Sequence, residues 1–120
     1  MQSEIQQAYD MSNSYLDKLE LSNKQYIQAL ERKGEAEINL DSMTAFVTRE
    51  YDNGDYSKTA LPNAVKGDQR VLDCKAELIR SDINLKAKVA LVKFLTQKHD
   101  LEKKRMSAEM EECKRIDYNK

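Results

Sequence analysis

Apolar and aromatic residues recur along the first half of the chain at the three-to-four-residue spacing of a helix: Ile5, Tyr9, Leu16, Leu19, Tyr26, Leu30, Leu40 and Val47. Ser3 and Gln6 ahead of them have capping-box spacing, so a helical arm is expected over residues 3–51. Three places are candidates for a break. They are Ser12-Asn13-Ser14, then Ser22, which repeats the capping spacing with Gln25, and Gly34, since glycine inside a helix costs about 1 kcal/mol against alanine.

The pattern stops at Asp52. Asp52-Asn53-Gly54, Leu61-Pro62 and Lys66-Gly67 are turn chemistry, and residues 52–67 are expected to form a connecting loop. At about 16 residues it exceeds the usual passive connection, which marks it as a functional candidate. Asp68 is a good N-cap for a second helix over 68–117. That helix carries two apolar rows. One, read as the inner face, is Val71, Leu78, Leu85, Val89, Val92, Met106, Met110 and Cys113; the other is Leu72, Ile79, Ile83, Ala90, Phe94 and Leu101.

Few breaks and long periodic runs predict an all-α chain: a single helical domain over 1–120, built as a long antiparallel hairpin with coiled-coil-like packing. One facing helix cannot cover two rows, so the hairpin is expected to be oligomeric. Leu78, Leu85, Val89, Val92, Phe94 and Met106 are the expected packing residues. A Phe94→Ala change should then cost roughly 3 to 5 kcal/mol.

Composition agrees with long helices of narrow buried stripe. The charged share is 34%, well above the usual quarter, and there are three Gly and one Pro in 120 residues. Charge is uneven along this plan: residues 1–65 hold six basic and eleven acidic side chains, residues 66–105 eleven basic and six acidic. An acidic helix beside a basic one favours antiparallel pairing within or between chains. With an overall charge of −1, the whole molecule has no field to steer a polyanion, so any nucleic-acid site must be a local patch.

Candidate chemistry is sparse. The single histidine, His99, has no cysteine or second histidine at ligand spacing, so no metal or cofactor is expected. Cys74 and Cys113 stand far apart on one helix and are expected as free thiols. The three glycines are isolated, so no phosphate-binding loop is expected. Nothing assembles a nucleophile with a base, and the chain is expected not to be an enzyme. No apolar run is long enough to span a membrane and the N-terminus lacks a secretory pattern, which leads to a cytoplasmic expectation, the host cytoplasm if phage-encoded.

The segment Arg49 to Lys58 mixes aromatic and basic residues in a connection, the combination that binds single-stranded nucleic acid, although its three acids, Glu50, Asp52 and Asp55, oppose that. With the basic start of helix two, the candidate nucleic-acid residues are Arg49, Tyr56, Lys58, Lys66 and Arg70.

This layout resembles the UvsY-type phage recombination mediators. Arg49, Tyr51 and Gly54 match the basic-aromatic helix end and its Gly-containing acidic loop, and Asp68 with Val71 the opening of the second helix; the likeness covers residues 30 to 105. A lone Arg49 behind Phe46, Val47 and Thr48 departs from the multiple basic residues of that family. The resemblance implies a ring-like homo-oligomer that binds single-stranded DNA, contacts a single-strand-binding protein and helps load a RecA-like recombinase. Two other classes remain open. One is a helical-hairpin interaction protein, a phage inhibitor or adaptor of a host protein without nucleic-acid binding; the other is a structural or chaperone-like coiled coil.

Overall fold

The computed structural model describes residues 3–118. Among them there are three helices and no strand: α1 (Glu4–Tyr51), α2 (Ala60–Gly67) and α3 (Gln69–Tyr118). The chain divides into two compact units. Residues 27–87 form the turn unit; the described residues before and after it, 3–26 and 88–118, form the terminal unit. In the turn unit Glu50 meets Arg70 and Lys33 meets Asp82, so residue numbers fall along α3 as they rise along α1. In the terminal unit Lys88 donates to Gln25 and Glu109 lies against Glu4, the same antiparallel sense. The fold is an all-α antiparallel helical hairpin.

Helix α1 starts where its cap predicts, with the Gln6 amide donating to Ser3 Oγ at 3.1 Å. The reciprocal half of the box does not form, because the Gln6 side chain donates to Asp10 instead. None of the three expected breaks occurs, and α1 is continuous for 48 residues. Ser12 and Ser22 are not caps but buried side chains facing the partner helix.

The reason lies in the inward face of α1. Its buried and half-buried positions step by alternating three and four residues: Ala8, Ser12, Tyr15, Leu19, Ser22, Tyr26, Ala29, Lys33, Ala36, Leu40, Met43 and Val47. This is the heptad spacing that keeps one seam facing a partner over many turns. α3 answers with Val71, Cys74, Leu78, Ser81, Leu85, Lys88, Val92, Leu95, His99, Glu102 and Met106. Several of these are small, and small side chains let two helices approach closely. The seam thus sets small side chains among its leucines and valines.

The seam follows the sequence expectation for α3 in part and corrects it in part. The inner row holds in part: Val71 is buried and Leu78, Leu85, Val89, Val92 and Met106 are half-buried, but Met110 and Cys113 are exposed. The second row lies outside the seam, as expected of a row that one facing helix cannot cover. Phe94, expected at the centre of packing, is 51% exposed, Ile79 60% and Ile83 62%. On α1, Tyr9, Leu16 and Leu30 are likewise exposed.

The expected loop over residues 52–67 is also corrected, since α2 occupies its second half. Gly54 turns the chain at φ 88°, a left-handed conformation that glycine adopts without the penalty of a Cβ. The Asp55 amide donates to Asn53 Oδ1, and Ser57 accepts from the Ala60 and Leu61 amides with its hydroxyl and carbonyl oxygens. Pro62 falls in the first turn of α2, where a missing N–H breaks no helical bond. α2 buries Val65 against Val47 and Val71, with Leu40, Met43, Tyr51 and Leu61 around them. Each buried valine contributes on the order of 1.5 kcal/mol or more from area alone.

Candidate functional site

Asp68 organises the turn end of residues 27–87. As expected it caps α3: its Oδ1 accepts the Arg70 amide at 2.9 Å, and its carbonyl accepts the Leu72 amide. The same carboxylate accepts the Tyr51 hydroxyl at 2.9 Å and two bonds from the Arg70 guanidinium. Only 10% of its side chain is exposed. The Arg70 hydrogen bonds, with those of the backbone and Tyr51, lower its pKa to about 2. For Tyr51 the carboxylate has the opposite effect, raising the phenol above its ordinary value.

Five residues were expected to contact nucleic acid, and they have different fates here. Arg70 is committed: besides Asp68 it pairs with Glu50, and its guanidinium lies 5.7 Å from the centre of the Phe46 ring. A guanidinium shared between two carboxylates keeps its proton more tightly and has little charge left for a phosphate. Arg70 is a structural residue of the turn. Tyr56 is 43% exposed, with its ring edge-to-face against Tyr51 at 5.5 Å between centroids. One ring therefore packs on the other while presenting part of its surface outward.

Arg49, Lys58 and Lys66 are exposed, and among the described residues none of them pairs with a carboxylate. Arg49 closes the last turn of α1, donating to the Ala45 carbonyl. Lys58 precedes α2 and Lys66 lies in its last turn. The fold brings all three to the turn end, but no hydrogen bond or ring contact joins them to one another.

The turn unit also carries a feature the sequence reading missed. An open depression of ≈ 550 Å³ is lined by Asn39, Ser42, Met43, Phe46, Arg49 and Cys74. Phe46 is half exposed there, and the Arg49 guanidinium supplies a cation. The signal was an aromatic three residues before a basic one, on one face of a helix end.

Of the expected packing residues, Leu78, Leu85, Val89, Val92 and Met106 border the seam and Phe94 does not. The terminal unit buries His99 and Glu102 on α3 and Ser12 on α1. Glu102 Oε2 is out of contact with solvent, and its nearest cation is the Arg105 guanidinium at 3.5 Å. Among the described residues no group of three or more His, Cys, Asp and Glu side chains can hold a metal ion, and Cys74 and Cys113 are free. No described helix is long and apolar enough to cross a membrane.

No family profile, no curated protein and no solved structure matches the chain.

Proposed function

We propose that the chain acts as a non-enzymatic helical scaffold that self-associates and binds single-stranded DNA at its turn end, in the manner of a phage-type recombination mediator. The observation that carries the reading is the apolar surface left outside the seam. The hairpin seam mixes leucines and valines with small and polar side chains, while Ile27, Ile38, Ile79, Ile83 and Phe94 face outward. Monomers rarely leave such side chains exposed in rows, and a second protein surface is what covers them.

Assembly multiplies the turn end. Arg49, Lys58 and Lys66 are too few for tight binding by one copy, but repeated copies along one strand would add their contacts. Tyr56 and Phe46 offer ring surface for base stacking, worth roughly 1 to 3 kcal/mol per base. A recombinase of the RecA type and a single-strand-binding protein are the partners this role requires, acting in the cytoplasm.

The test is fluorescence anisotropy of a labelled oligonucleotide at two salt concentrations. Binding should weaken steeply with salt, and Arg49→Ala with Lys58→Ala should flatten the slope by about 0.7 per lost contact. Absence of binding at low salt removes the DNA role. The same outward rows then support a second reading, a hairpin adaptor or inhibitor that lays these faces on another protein.

A further inference from the structure

We infer that copies of the chain associate head to tail, the outer face of α1 in one copy lying on the outer face of α3 in the next. The inference rests on the self-association in the proposed function and names the surfaces that make it. The apolar part of each face is a row on the side of the helix away from its own seam. On α3 it comprises Leu72, Ala76, Ile79 and Ile83 in the turn unit, and Ala90, Phe94 and Leu101 in the terminal unit. Steps of three, four and seven residues keep each set on one side of the helix. On α1 the row is Ile27 and Ile38 in the turn unit, 53% and 66% exposed, and Tyr9 and Leu16 in the terminal unit.

Charge decides which face covers which. Helical spacing puts Lys93, Lys98 and Lys104 beside the α3 row in the terminal unit; in the turn unit Arg80 and Lys86 flank it, each already paired within the chain, with Glu77 and Asp82. Lys98 lies over the exposed Phe94 ring at 5.5 Å. Along the α1 row the neighbours are mostly acidic, Glu31, Glu35 and Asp41 in the turn unit and Asp17 and Glu20 in the terminal unit, with Lys24 the basic exception. Stacking α3 on α3 sets lysine against lysine, and α1 on α1 sets carboxylate against carboxylate. Only α1 on α3 joins apolar rows with opposite charges at their edges, which attracts the correct pairing and penalises the others. The contact is heterologous, so each copy keeps one face open for the next.

Two charge-reversed variants test this by gel filtration with light scattering, with circular dichroism as the check on folding. One carries Glu20→Lys, Glu31→Lys and Glu35→Lys; the other carries Arg80→Glu, Lys93→Glu and Lys104→Glu. Wild type should elute above its chain mass of 13.9 kDa. Each variant alone should be helical and weakened in association by about a hundredfold or more. An equimolar mixture should regain the wild-type mass, since the basic α1 of the first fits the acidic α3 of the second. A further variant, Ile79→Ser with Ile83→Ser, should dissociate without loss of helix. An oligomeric wild type whose charge variants keep their mass, or whose helical variants stay dissociated when mixed, overturns this pairing and leaves self-association standing. A wild type that is monomeric overturns both.

Discussion

The two units of the hairpin use the same heptad spacing to opposite effect. The turn unit closes on Val47, Val65 and Val71, and the charged groups at its seam are paired: Asp68 with Arg70, and Lys33 and Lys86 with Asp82. The terminal unit places Ser12, His99 and Glu102 in the equivalent seam, and sets Glu109 against Glu4. A heptad stripe thus specifies which positions face inward without specifying that they be apolar. Where the stripe is apolar and capped it stabilises; where it is polar it orients the helices at a cost in desolvation.

Four measurements test that contrast. The largest effect is expected from Val47→Ala, which removes two fully buried methyl groups and should cost roughly 2 to 3 kcal/mol in denaturant unfolding. Amide exchange should locate the loss in residues 27–87. An equal loss of protection near residues 5–20 would mean that the two units do not differ in what holds them.

Glu102→Leu is the converse change in the terminal unit. Replacing a buried carboxylate, one oxygen of which lacks a hydrogen bond, by an apolar side chain should raise stability by about 1 kcal/mol. A lower melting temperature would reveal Glu102 as a favourable part of the seam.

Acid should move the two units in opposite directions. Asp68 has a folded pKa of about 2 against an ordinary 3.8, so its contribution is complete above the ordinary value and is lost as pH falls through about 2. Glu109 is raised above its ordinary 4.5, chiefly through its hydrogen bond with Glu4. Its contribution is complete below the ordinary value and is lost as pH rises through the folded one. Between pH 5 and 2, amide protection should therefore fall around residues 51 and 68–72 and rise around residues 4 and 109. Parallel changes at both ends would break the contrast.

The smallest effect is expected from Phe94→Ala. Its ring is half exposed, so in a dissociated chain the loss should be under about 0.5 kcal/mol, not the 3 to 5 that its place in an apolar row suggests. Unfolding of the dissociated Ile79→Ser, Ile83→Ser background measures it without the contribution of association.

Much of the architecture could be read from the sequence. Long uninterrupted periodicity determined two helices, Ser3 and Asp68 determined where they begin, and Asp52 with Gly54 determined where the chain turns, because caps and turns depend on backbone chemistry within a few residues. α2 was hidden because Pro62 and Gly67 read equally as loop punctuation and as the first turn and last residue of a short helix. The candidate site was legible as composition only: Arg49, Lys58 and Lys66 kept their charge, whereas Arg70 spent it on Asp68 and Glu50, which a list of basic residues does not distinguish. Tertiary structure alone decided how far along α3 the inner row stays covered, leaving Met110 and Cys113 exposed, and that Phe94 lies outside the seam. Periodicity defines the faces of a helix, but the face that packs is the one whose side chains fit the opposing helix. Here Ala8, Ser22, Ala29 and Ala36 on α1 admit a close neighbour, and the bulkier isoleucines are left outside for another surface to cover.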